Sequence, residues 1–234
     1  MHKKITFCLI AAVILTACSP KADIFIQDSG DAVITVDVKA SSLLESLVEN
    51  AAGFSEGEKK ENKSVFNIEE IKAELESKHI RVLSMETQGA AGIKTKLKIL
   101  TGDEAAPPFL KTEPKEGKLS LNIGNADIRE FVNLLSEDDR EYAELLMAPA
   151  LTGEELTSKE YEELIKSAYG EKTADELKRA KLRISVTCPK KVQSITVTPL
   201  GTGRKEGNKA YIEIPLSKLL SLKNNIFVEV RYVP

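Results

Sequence analysis

Two lysines, Lys3 and Lys4, precede thirteen mostly apolar residues from Ile5 to Ala17, and small residues lead into Cys18. A bilayer span needs roughly twenty apolar residues, so this run is too short to cross a membrane. A basic start, a short apolar middle and small residues before the boundary predict a secretory signal over residues 1–17. Everything after it then folds outside the cytoplasm, and the thiol inventory shows with what support. Of three cysteines, Cys8 leaves with the signal and Cys18 marks its end, so Cys188 has no intramolecular partner and no disulfide framework is expected. The fold must rest on its apolar core, for which residues 18–234 suffice as one domain or two small ones.

Leu15-Thr16-Ala17-Cys18 resembles the lipobox of bacterial lipoproteins, and the resemblance covers residues 1–20. It implies cleavage between Ala17 and Cys18, diacylation of the Cys18 thiol and, usually, acylation of the new amino terminus. The alternative is an ordinary secretory signal with an incidental Cys18. Ser19 stands where an aspartate would mark retention in the inner membrane of two-membrane bacteria, so the resemblance points to the outer membrane. Each buried methylene contributes about 0.8 kcal/mol; one acyl chain holds marginally, two or three hold stably. Residues 18–22 form the expected lipidated tether, with Ser19, Pro20, Lys21 and Ala22 between the lipid and the first strand. Four extended residues reach roughly 14 Å, which places the folded part close to the headgroups.

Charge and composition exclude other classes. The formal charge is -3, and loss of Lys3 and Lys4 with the signal takes it to -5. A mildly acidic chain lacks the concentrated basic surface that nucleic-acid phosphates require. With no tryptophan and few aromatics, it also lacks stacking platforms for single strands, or exposed rings for sugars. Cys188 ends the alternating run Leu182 to Thr187 and precedes Pro189, which reads as a buried strand-end thiol rather than a nucleophile. His79 is the one histidine after the signal, four residues past Leu75 on a helical stripe, where a helix C-terminus favours a cation. One histidine and one thiol do not make a structural zinc site, so neither a metal nor a cofactor is expected.

Along the chain, Asp23–Gln27 and Ala32–Lys39 predict a hairpin around Asp28-Ser29-Gly30-Asp31. Ser42 with Glu45 opens a helix whose stripe runs from Leu43 to Ala51, and Ser55 to Ser64 reads as a solvated loop. Asn67 with Glu70 opens a second helix on Ile68, Ile71 and Leu75. Arg81–Thr87 and Ile93–Leu100 make a further hairpin. The prolines and glycines of residues 101–117 predict a linker or long loop. A strand at Lys118–Ile123 precedes helices carrying Ile128, Phe131 and Leu135, then Tyr142 and Leu145. Thr157 with Glu160, and Thr173 with Glu176, cap two more helices. The chain closes on Leu182–Thr187, Val192–Thr198, Ala210–Ile214 and Ile226–Val233, read as a meander, with Gly201 to Gly207 as a hairpin loop and Ser217–Leu222 as one helical turn. The expected fold class is α+β: a mainly antiparallel sheet of hairpins and a C-terminal meander with amphipathic helices packed on it. The expected division is an N-terminal lobe, 23–100, and a C-terminal lobe, 118–234.

Three stretches bear on function. Lys94, Lys96 and Lys98 share one strand face opposite Ile93, Thr95, Leu97 and Ile99. Such a row suits anionic headgroups, each lysine contributing up to about 1 kcal/mol close to a charged leaflet; the other reading is a solvated face or a lysine-protected edge strand. Glu137 to Glu163 holds ten acidic residues against Arg140 and Lys159, a solvated helical face without the spacing of a calcium loop. From Ile184, ISVTCPKKVQSITV, a glycine loop and AYIEIPL are similar to the C-terminal strands of LppM-type mycobacterial lipoproteins. That resemblance implies lipid or glycolipid interaction at the envelope. The leading expectation is a membrane-anchored, extracytoplasmic envelope lipoprotein that binds lipid or another hydrophobic ligand. A structural or assembly partner of another envelope protein, through the acidic face, is the alternative. A carboxylate-based hydrolase needs two converging carboxyl groups, and no spacing here selects a pair.

Overall fold

The computed structural model describes residues 20–38, 68–77, 80–88, 92–101, 109–124, 156–221 and 225–234. Alternating apolar and polar residues form β1 (Lys21–Ile26) and β2 (Ala32–Val38), which pair antiparallel. Their turn closes through Gln27 N–H to Asp31 O at 2.9 Å and Gly30 N–H to Gln27 O at 2.8 Å. Gly30 has φ +88°, and an added Cβ would meet Pro114 and Thr101 at 2.7 Å. β3 (Arg81–Thr87), β4 (Ile93–Ile99), β7 (Lys181–Thr187), β9 (Thr202–Glu206) and β10 (Lys209–Pro215) complete a sheet of order β3-β4-β2-β1-β7-β10-β9. β5 (Leu110–Glu113), β6 (Lys118–Ile123), β8 (Val192–Thr198) and β11 (Ile226–Tyr232) form a second sheet, β5-β6-β11-β8. With four described helices beside them, the fold is α+β.

Every described ladder is antiparallel except β1 with β7, which run parallel with Ile24 opposite Val186. That pair joins strands from 23–100 and from 118–234 in one sheet. The buried row Leu97–Ile34–Ile24–Val186–Ala210 crosses five strands there. In the smaller sheet, Leu110–Leu121–Val228–Val197 makes the corresponding row. Both rows belong to, or pack against, one continuous core. Burying each such aliphatic side chain contributes about 1.5–3 kcal/mol. The single polar member of β4's inward face, Thr95, is satisfied by donating to Ser84 O at 3.1 Å.

Several expectations are corrected. The C-terminal strands are not a meander: β7, β9 and β10 lie in the large sheet, β8 and β11 in the small one, so the chain crosses between sheets after β7, β8 and β10. Periodicity shows which residues are inward but not which sheet receives them. Thr202–Glu206, expected as loop, is β9, exposed throughout and held by its ladder to β10. Having no apolar residue, it shows no alternation to read. Gly203 lies against β8, where an added Cβ would meet Ile195 at 2.6 Å. The stretch expected as a linker contains β5 and a 3-10 turn at Pro114–Glu116.

The described helices bury most of their apolar stripes, though Ala168, expected inward after Tyr161 and Ile165, is exposed. In α1 (Ile68–Ser77), Ile71 and Leu75 are buried. α2 (Ser158–Tyr169) starts on a capping box: Glu160 N–H donates to Thr157 Oγ1 at 3.2 Å, and Thr157 N–H donates to Glu160 Oε2 at 2.7 Å. Tyr161 and Ile165 are its fully buried pair. α3 (Glu171–Arg179) begins at Gly170, with φ +87°, rather than at the expected Thr173, and has no side-chain cap. α4 (Leu216–Leu220) buries Leu216, Leu219 and Leu220. The lipobox, the helices expected at Leu43–Ala51 and Ile128–Leu145, His79 and most of the acidic stretch lie outside the described residues.

Candidate membrane-facing surface

β1 begins at Lys21, two residues earlier than its apolar content suggests, because Ala22 is small enough to leave the alternation faint. Lys21 and Ala22 pair with Asp37 and Val36 of β2 and with Arg183 and Ile184 of β7. Pro20 is buried, and its carbonyl accepts the Arg183 N–H at 2.9 Å. The expected four-residue tether therefore shortens: between Cys18 and the first fixed residue stands Ser19 alone. Cys18 to Pro20 spans about 7 Å when extended. Ala17 and Cys18 themselves lie outside the described residues.

The large sheet's outward face follows from the register in three rows. Nearest the tether lie Glu86, Lys94, Asp37, Lys21, Arg183, Glu213 and Thr202. Ser84, Lys96, Thr35, Asp23, Ser185, Tyr211 and Arg204 form the middle row, and Arg81, Lys98, Val33, Phe25, Thr187, Lys209 and Glu206 the far one. Eight basic side chains meet five acidic ones, so this face is cationic on a chain whose formal charge is -3. Arg204 stacks over the Tyr211 ring at 4.5 Å. Phe25, half exposed, lies on the middle strand of the sheet in the far row, with Val33 beside it.

Lys94, Lys96 and Lys98 share this face, but they are not equivalent. Since β4 pairs with both β2 and β3, the row is not on an edge strand, and the edge-protection reading falls. Lys94 has Asp37 and Glu86 in register, whereas Lys96 has the hydroxyl residues Thr35 and Ser84. Lys98 is neutralised by Asp31, with Nζ 2.9 Å from Oδ2. Across the sheet, Glu213 similarly holds Lys181 at 2.8 Å and Arg183 at 3.6 Å. Among the described residues, Lys21, Lys94 and Lys96 are exposed cations near β1 that make no ion pair of this kind.

Asp31 also accepts the Thr101 N–H at 3.1 Å. That backbone donor, followed by Lys98, holds the carboxyl below its ordinary value. An unfolded chain offers neither partner, so the stabilisation is complete above the unfolded pKa of about 4 and is lost as pH falls through the lower folded value. Asp31→Asn is expected to cost about 1 kcal/mol at neutral pH. In urea denaturation its deficit against the parent should close between about pH 5 and pH 2; a pH-independent deficit would contradict the assignment.

Cys188 closes β7 at 1% exposure, and burial pushes its thiol up to about 11. Its backbone N–H donates to Asn208 O at 2.9 Å, and Asn208 Nδ2 donates to its carbonyl at 3.0 Å. A buried, protonated sulfur is a poor nucleophile. Iodoacetamide at neutral pH is expected to leave Cys188 unmodified in the folded protein and to alkylate it in urea. Rapid native-state labelling would reinstate a reactive thiol.

Among the described residues, no three His, Cys, Asp or Glu side chains gather as a metal site, and no helix is long and apolar enough to cross a membrane. The sequence pattern isolates the lysine row but does not group Lys21, Phe25 and Val33 with it, since only strand order places β1 beside β2 and β2 beside β4. No protein-family model matches the chain, and neither a curated protein nor a solved structure does.

Proposed function

We propose that this chain is an extracytoplasmic envelope lipoprotein, diacylated on Cys18 and held on the outer membrane, which works at the membrane surface by binding lipid rather than by catalysis. The observation carrying this reading is spacing: the lipobox cysteine stands two residues before Pro20, which is itself bonded to β7. Two acyl chains on Cys18 hold stably, and a reach of about 7 Å keeps the large sheet beside the headgroups. The cationic outward face supports the same placement, because anionic leaflets attract nearby lysines. Mass spectrometry of the membrane-extracted protein tests it. The expected mature N-terminus is Cys18 carrying a diacylglyceryl group; an unmodified Cys18, or cleavage elsewhere, would overturn the reading.

A further inference from the structure

We propose that the outward face around β1 docks on anionic phospholipid, with Phe25 entering the boundary between headgroups and acyl chains while Lys21, Lys94 and Lys96 meet lipid phosphates. This deepens the lipoprotein reading and rests on it. Phe25 lies four residues beyond Lys21 on the same face of β1, roughly 13 Å along the strand. With the lipid at the Lys21 end, a domain standing upright on its tether would hold Phe25 far from the bilayer. Lying on this face brings the ring and the acyl chains to the same surface.

Sheet twist limits the footprint. Neighbouring strands rotate by roughly 20–25°, so a sheet of seven strands cannot lie flat on a plane. Contact is confined to strands near β1, which is where Phe25, Val33, Lys21, Lys94 and Lys96 lie. Lys98 adds little net charge, since Asp31 neutralises it, and Arg183 shares the single carboxylate of Glu213 with Lys181. Asp23, Asp37 and, in register with Lys94, Glu86 share the footprint and oppose anionic lipid, so the charge advantage comes down to the surplus of basic over acidic side chains across the whole face and is modest. It suffices because the anchor makes docking intramolecular: the acyl chains supply affinity, and the face only has to select an orientation. A partly inserted aromatic ring and two or three lysines contribute on the scale that such a choice requires.

The chain contains no tryptophan, so a substituted one reports alone. Full-length acylated Phe25→Trp is placed in vesicles of phosphatidylglycerol with phosphatidylcholine, or of phosphatidylcholine alone, each doped with lipid brominated on the acyl chain. Phe227→Trp, on the outward face of the small sheet, is the control. Phe25→Trp emission is expected to be blue-shifted and quenched in the anionic vesicles, several-fold more than that of Phe227→Trp, and the difference should shrink when Lys94→Gln and Lys96→Gln are added. Without any reporter, Lys94 and Lys96 of the parent should be shielded from a water-soluble amine reagent only on anionic vesicles. An acylated protein whose two reporters are quenched alike, with both lysines still reactive, overturns the docking and leaves the anchor intact. Protein lacking the acyl mass overturns the anchor itself.

Discussion

Cys18→Ser is expected to abolish the acylated, membrane-bound form of the protein altogether. The proposed diacylation would use the sulfur of Cys18 as nucleophile, and a serine hydroxyl is a far weaker one at neutral pH. Membrane affinity follows the chains: with about 0.8 kcal/mol per buried methylene, loss of two acyl groups removes more binding energy than any surface lysine supplies. Fatty-acid labelling and membrane sedimentation together check this. The acyl label should disappear, and the processed membrane form should leave the pellet. Persistence of a labelled, membrane-bound product would remove Cys18 as the attachment point.

Ile24→Ala is expected to remove a large share of the fold's stability. Ile24 is 2% exposed and lies between Ile34 on β2 and Val186 on β7, at the centre of the parallel pair that holds the N-terminal hairpins to the C-terminal strands. Removing its outer atoms from a row packed on both sides costs about 2–5 kcal/mol, against a typical total of about 5–15 kcal/mol. Urea denaturation should show a lower midpoint with an unchanged slope. A loss below about 1 kcal/mol would mean that the row repacks around the gap.

How far the residues disclose this architecture depends on the kind of information each carries. Period-two runs such as Ala32–Val38 and Ile93–Ile99 declare both their conformation and their inward face, because alternating side chains fall on opposite sides of a strand. Thr157 and Glu160 disclose a helix start, since both halves of a capping box are local. Strand order is a different matter. Nothing in Asp23–Ile26 indicates that β7, some 160 positions away, will lie beside it; that pairing is set by the whole core. β9 was illegible for another reason: it has no apolar side chain and exists because β10 offers a ladder. The lysine row was visible, but its inequality was not. That Lys98 meets Asp31 while Lys96 meets hydroxyl residues depends on the turn at Gly30 and on the register of three strands.

The placement of β1 has a mechanical consequence. Under the proposed anchoring, a pull from the lipid would enter at Pro20 and run along the axis of a strand flanked on both sides, by β2 antiparallel and by β7 parallel. Interstrand hydrogen bonds lie across that axis in the antiparallel pair and slant to it in the parallel one. Load at the head of β1 therefore shears two ladders together instead of peeling an edge strand one bond at a time. A domain anchored in this way, through the middle of the seven-stranded sheet, would resist extraction with the whole length of β1.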